Sequence, residues 1–273
     1  MKRVIDYFLA AILVYVGFVI LMFFFQRSLM YHPLDAHLDP KRFDLPEMSV
    51  IELVTEDGLK LQSWYKQAKQ QQPTILFLHG NAGHIGYRSR KVKPLLSAGY
   101  GLLLLSYRGY GSNPGKPTEE GLYLDAKAAL KYLQDQGIKP NSIVLYGESL
   151  GTGVAVETAQ GRNLAGMILE APFTSMVDTA SRHYPFMPVR KLLKDRYNTA
   201  EKIVTFQSPL LIIHGENDNI VPFELGRRLF DAANEPKRFL PLKHAGHNDV
   251  YEYGVANQVI SFLKKITKNQ VTN

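Results

Sequence analysis

S-I-V-L-Y-G-E-S-L-G-T-G-V-A-V-E-T-A-Q, residues 142–160, changes its periodicity midway. Ser142 to Tyr146 is a short apolar run, the mark of a strand covered on both faces. Gly151 to Gln160 reads as a helix. Between them lies Gly147-Glu148-Ser149-Leu150-Gly151, a G-x-S-x-G spacing. A serine between a buried strand and a helix is lifted above the sheet on a strained turn, and this demands small residues two positions away on each side. The helix start favours negative charge developing there. The bare pentapeptide arises readily by chance. Its place between strand and helix makes it specific, and a glycine-rich helix cap is the bland alternative.

On either side of this stretch, strand-like runs alternate with helical ones. Strands are predicted at Thr74 to Leu78, Tyr100 to Ser106, Met167 to Glu170, Pro209 to His214 and Arg238 to Leu242. Helices are predicted at Arg88 to Ser97, Pro117 to Gln136, Leu225 to Ala233 and Tyr253 to Lys268. Ser49 to Lys66 reads as an antiparallel hairpin around Asp57-Gly58. Residues 31–48, with Pro33, Pro40 and Pro46, read as a linker or first loop, and Gln67 to Pro73 as a polar turn. A hairpin followed by βα repeats implies an α/β fold with a mostly parallel, doubly wound sheet. Its site lies at the carboxyl ends of the strands. Residues 172–207 fall between two strands and read as a small cap insert. The basic run Arg88, Arg90, Lys91, Lys93 reads as the outer face of a helix.

Three further loops can serve Ser149. A serine hydroxyl is a poor nucleophile unless a base takes its proton. His247, in Lys243-His244-Ala245-Gly246-His247-Asn248-Asp249, is the chosen base, with His244 as rival. A carboxylate must then hold the imidazole in the correct tautomer. Asp218, just after a late strand, is the chosen acid; Glu216 is its nearest rival, and Asp178 and Asp195 are weaker ones. The order Ser149, Asp218, His247 separates this set from other triad arrangements. In Leu78-His79-Gly80-Asn81-Ala82-Gly83, the Asn81 backbone N–H stands where an oxyanion donor belongs, with the Leu150 N–H as its partner. His79 reads as structural. This chemistry calls for no cofactor and no metal.

The chain has 273 residues, a net charge of +7 and no cysteine. Thiolate chemistry and disulfides are excluded. The basic charge comes without a nucleic-acid-binding motif, so nucleic acid is not an expected partner. Tyr7 to Phe25 holds nineteen residues without a charge. At ~1.5 Å per residue such a helix is ~29 Å long, close to the hydrocarbon thickness of a bilayer. A cleaved signal peptide is the rival reading. Phe23, Phe24 and Phe25 stand where such a peptide needs small residues. Residues 1–28 are therefore expected to form a transmembrane anchor, and residues 29–273 a single catalytic domain. Lys2 and Arg3 favour a cytoplasmic N-terminus, with the body periplasmic, lumenal or extracellular.

Taken together, H-G-N-A-G from His79, S-Y-R-G-Y-G from Ser106, G-E-S-L-G from Gly147, H-G-E-N-D-N-I-V-P from His214 and G-H-N-D from Gly246 resemble the α/β-hydrolase superfamily. More narrowly they resemble its BEM46-like branch, of the ABHD13 and ABHD17 types. The likeness covers about residues 50–265, and an N-terminal anchor occurs in many members. It implies an α/β-hydrolase fold and a serine hydrolase acting on carboxylic ester or thioester bonds through Ser149, Asp218 and His247. ABHD17-type proteins carry a cysteine-rich N-terminus that this chain lacks. Tyr107-Arg108-Gly109 matches the family too and reads as structural. In the cap insert, Phe173, Met176, Tyr184, Phe186 and Met187 are expected to line an acyl pocket. Arg182, Arg190, Lys191, Lys194 and Arg196 are expected to face anionic headgroups; the alternative is a plain amphipathic crossover with a solvated basic face. An acyl-lipid or acylated-protein substrate follows as an expectation. The alternatives are a peptidase for small peptides and a catalytically silent binding protein on the same scaffold.

Overall fold

Eight strands form one sheet: β1 (Ser49–Val54), β2 (Lys60–Lys66), β3 (Thr74–Leu78), β4 (Gly101–Leu105), β5 (Ile143–Glu148), β6 (Gly166–Glu170), β7 (Leu210–Gly215) and β8 (Lys237–Leu242). The computed structural model describes residues 1–36, 39–69 and 72–271. Residues 37 and 38 of the expected linker, 70 and 71 of the expected polar turn, and the last two residues of the expected domain lie outside the described residues.

Strand order is β8-β7-β6-β5-β3-β4-β2-β1. From β8 to β4 every neighbouring pair is parallel, while β2 runs antiparallel to both β4 and β1. The expected hairpin is the β1–β2 pair, and the doubly wound parallel sheet follows it. The order reverses beside β3, so β3 and β5 are neighbours although β4 lies between them in the chain. Their carboxyl ends open a crevice at that switch point.

Strand side chains alternate between the two faces. Ile75, Phe77, Val144 and Tyr146 pack with helices α2 (Ser89–Ser97) and α9 (Val255–Val271). Leu76, Leu78 and Leu145 pack with α3 (Glu119–Asp135), α4 (Leu150–Thr158) and α8 (Phe223–Ala232). Helix α3 shows how the sequence sets such an element. Thr118 caps it by accepting the Gly121 N–H, and Glu119 and Glu120 sit in the first turn. Both features offset the exposed amide dipoles of a helix start. Leu122, Ala126, Ala129 and Leu133 recur at helical spacing and are fully buried.

The cap insert holds α5 (Met176–His183), α6 (Val189–Leu192) and α7 (Thr199–Ile203). Ahead of the sheet, α1 runs unbroken from Lys2 to Met30. It is the one helix among the described residues long and apolar enough to cross a membrane, and none of its residues is fully buried. The segment after it is no free tether. His32–Pro33 pairs in parallel with Ala82–Gly83, and Tyr31, Leu45 and Met48 are buried. The prolines and missing periodicity that read as a linker or first loop do not predict whether that segment is docked.

Candidate active site

Ser149 stands between β5 and α4 with φ 51° and ψ −117°. A non-glycine residue there is strained, at about 1–3 kcal/mol. The flanking glycines have a different role. A Cβ on Gly151 would lie 2.0 Å from the Leu78 carbonyl oxygen, and one on Gly147 would lie 2.6 Å from the Gly151 carbonyl oxygen. Neither glycine has a positive φ. The elbow thus needs them because backbone packs on backbone. The Ser149 N–H donates to the Glu170 carbonyl at 2.8 Å, which ties the strained turn to β6.

The structure brings Ser149, His247 and Asp218 together from three loops. His247 Nδ1 lies 2.7 Å from Asp218 Oδ2, and His247 Nε2 lies 3.0 Å from Ser149 Oγ. An ionised carboxylate only accepts, so Nδ1 carries the proton. Nε2 is left as acceptor for the Ser149 hydroxyl. The other Asp218 oxygen, Oδ1, accepts the N–H groups of Ile220 at 2.9 Å and Val221 at 2.8 Å. Burial acts to raise the Asp218 carboxyl, but hydrogen bonds from His214 and His247 outweigh it and hold the group far below the ordinary carboxylate range. Asp218 is therefore ionised at neutral pH. Its rivals are elsewhere: Glu216 is exposed, Asp178 accepts from Thr174, and Asp195 pairs with Arg27. His244 is exposed, and its carbonyl accepts the Tyr253 hydroxyl.

Asn81 and Leu150 line the same cavity as Ser149. Neither backbone N–H meets an acceptor among the described residues. The Asn81 peptide is fixed by its carbonyl, which accepts the His32 N–H at 2.9 Å and the Tyr110 hydroxyl at 2.7 Å. His79 is buried against Tyr107 and Tyr110 and donates from Nδ1 to the Gly80 carbonyl at 2.7 Å. Burial and the charge of Arg88 push its imidazole down to about 3, so it stays neutral and shapes the turn. Arg108 is structural as well, bridging Asp57 of the hairpin turn to Asp125 of α3.

Sequence reasoning missed two groups. The first is His214, whose Nε2 donates to the Val221 carbonyl at 3.0 Å and stands 3.3 Å from Asp218 Oδ2. It fixes the acid loop from below. The only signal for it was a polar residue inside an otherwise apolar strand. The second corrects the reading of the basic run as an outer face. Arg90 and Lys93 are surface residues, but Arg88 and Lys91 point inward. Arg88 donates to Glu148 at 2.9 Å and to the carbonyls of Ala82 and His84, and Lys91 bridges Glu148 to Glu170. The network sits beneath the elbow and clamps the Asn81 loop to it. Its acids, beside Ser149 and at the end of β6, were the available clue: buried carboxylates demand buried cations.

A cavity of about 240 Å3 opens above Ser149. Phe173, Met176, Tyr184 and Met187 of the cap line it as expected. Phe186 does not; it lies against α1, its ring 6.2 Å from that of Phe18. Asn81, Gln26, Thr179 and His183 are polar members of the lining, and no carboxylate among the described residues contributes.

Residues 69–203 match the family model described as serine aminopeptidase, S33 (Hydrolase_4). An uncharacterized protein of Mycobacterium tuberculosis is 40% identical, over 88% of this chain and 87% of that protein. Human α/β hydrolase domain-containing protein 17B is 36% identical, over 73% and 68% of the two chains. Lysophosphatidylserine lipase ABHD12 of Danio rerio is 35% identical, over 67% of this chain and 53% of its own length. Among solved structures, an esterase from Pyrococcus furiosus superposes with TM-score 0.72 at 23% identity, over 87% of this chain and 99% of the other.

Proposed function

The chain belongs to the α/β-hydrolases of the ABHD type, which are serine hydrolases, and from that membership we propose that it cleaves carboxylic ester or thioester bonds through an acyl-enzyme. The observation that carries this reading is the continuous hydrogen-bonded chain from Ser149 through His247 to Asp218 at the floor of an apolar cavity. As Ser149 Oγ attacks the substrate carbonyl, its proton passes to His247 Nε2. The carbonyl oxygen becomes an alkoxide that the Asn81 and Leu150 N–H groups are placed to receive; one such donor is worth roughly 3 kcal/mol. Asp218 stabilises the imidazolium. His247 then protonates the departing alkoxide or thiolate. A water deprotonated by the same imidazole releases the acid and restores Ser149.

The apolar lining favours an acyl chain over a peptide. An aminopeptidase must hold a substrate ammonium, and no carboxylate among the described residues lines this cavity. We place α1 across a membrane as an anchor, with the N-terminus cytoplasmic and the body periplasmic or lumenal/extracellular. The substrate class is an acyl-lipid or an acylated protein near that membrane.

The test uses the full chain in non-ionic micelles. A fluorophosphonate should label it, and Ser149→Ala should abolish labelling. Asp218→Asn should lower kcat on an aryl ester by about 1,000-fold or more, because it forces the wrong imidazole tautomer. Glu216→Gln should stay within about twofold, being exposed. Labelling that persists in Ser149→Ala would remove the proposed nucleophile, and aminoacyl amides turned over in preference to esters would favour the peptidase.

A further inference from the structure

Helix α1 makes more contacts with the body than an anchor requires. Its half-buried residues are Val19, Met22, Phe23, Gln26 and Met30, one stripe at helical spacing. The stripe continues toward the N-terminus, where the Tyr15 hydroxyl donates to the Phe186 carbonyl at 2.8 Å. At the other end the contacts are polar. The Lys194 N–H donates to Gln26 at 2.8 Å, and Arg27 holds Asp195 through two nitrogens at 2.9 and 3.0 Å. The Asn81 side chain donates to the Met30 carbonyl at 2.7 Å. The last turn of α1 is thus joined to the loop that carries an oxyanion donor, and Met22, Phe23, Leu29 and Met30 form one wall of the cavity above Ser149.

The charge pattern sets the depth of these contacts. Tyr7 to Phe25 is the uncharged run, so the body-side edge of the hydrocarbon lies near Phe25. Counted back at ~1.5 Å per residue, Met22 lies ~5 Å below that edge, Phe18 ~10 Å and Tyr15 ~15 Å. Phe186 touches α1 at Tyr15 and Phe18. The cap tip therefore lies at the same depth, with Tyr184 and Phe186 exposed. Lys194 stands beside Phe23, just inside the hydrocarbon edge, where a long lysine side chain extends to the headgroups. An exposed aromatic tip below a cation is the arrangement a lipid surface stabilises.

We propose that the cap tip around Phe186 is inserted into the proximal leaflet alongside α1, and that the cavity between them receives the acyl chain of a lipid ester directly from the bilayer. The inference rests on the hydrolase reading and on α1 spanning the membrane. It makes α1 a specificity element: a chain still embedded in the leaflet enters between Met22 and Tyr184 and slides toward Ser149, without crossing water.

Two measurements on the full chain in phosphatidylcholine nanodiscs test it. The protein has no native cysteine, so Phe186→Cys can carry a single environment-sensitive fluorophore. Nitroxides at mid-chain lipid positions should quench it more strongly than aqueous iodide does; the reverse order overturns the insertion, whatever the activity. Met22→Trp should lower kcat/KM for a long-chain ester embedded in the nanodisc at least tenfold more than it lowers kcat/KM for a water-soluble acetyl ester. Leu21→Trp, on an exposed face of α1, should alter neither. Equal loss on both esters, or no loss on the embedded one, overturns the entry route. The acetyl-ester rate and Ser149-dependent labelling report separately on the hydrolase reading, so its failure would be seen as loss of both in the unaltered chain.

Discussion

Glu148→Gln removes one negative charge from the buried network beneath the elbow without changing side-chain shape. Arg88, Lys91, Glu148 and Glu170 are each at most 12% exposed at the side chain, so solvent offers little replacement for the lost charge. Breaking a buried pair by removing one partner costs about 3–5 kcal/mol, and that is the expected destabilisation at pH 7. The pH dependence is more telling. Burial acts to raise the Glu148 carboxyl, but Arg88 and Lys91 prevail and hold it far below its ordinary value of 4.5. A carboxyl lowered in the folded state stabilises the protein fully above pH 4.5. The contribution fades as pH falls, because the unfolded chain takes up a proton that the folded one refuses. Each pH unit is worth about 1.4 kcal/mol, so between pH 4.5 and 3 the native protein loses about 2 kcal/mol through this group. The glutamine variant has nothing to lose there, and its deficit should shrink by that amount. Urea unfolding in non-ionic micelles, followed by fluorescence of Trp64, the single tryptophan, measures both curves; Trp64 is 1% exposed and reports on the core. A deficit that stays constant from pH 7 to pH 3 would refute the assignment of Glu148 as an ionised partner.

Two further outcomes concern the elbow. Ser149→Gly and Ser149→Ala both remove the hydroxyl, but only glycine tolerates φ 51° with ψ −117°; the glycine variant should be the more stable by about 1 kcal/mol in the same urea titration, the reverse of the ordinary order in which glycine is the less stable. Gly151→Ala would place a Cβ 2.0 Å from the Leu78 carbonyl oxygen, and since neither backbone segment can retreat, the variant should fail to yield folded protein or lose its triad geometry, read as loss of fluorophosphonate labelling.

Sequence alone determined the elements whose cause is local. Apolar runs such as Leu102 to Leu105 make buried strands, Thr118 starts a helix, and a glycine-flanked serine between strand and helix marks an elbow. The same reading chose Asp218 and His247, because each follows the carboxyl end of a predicted strand. Periodicity could not show which side of α2 meets the core. Arg88 and Lys91 look like surface cations until the fold sets Glu148 and Glu170 against them. Nor could it show that His214 supports Asp218, that prolines after α1 are followed by docked chain, or that α1 walls the cavity. These are contacts between residues far apart in sequence, and their partners are chosen only when the sheet order brings the segments together. Local pattern encodes what a residue can do; tertiary packing decides which other residue it does it to.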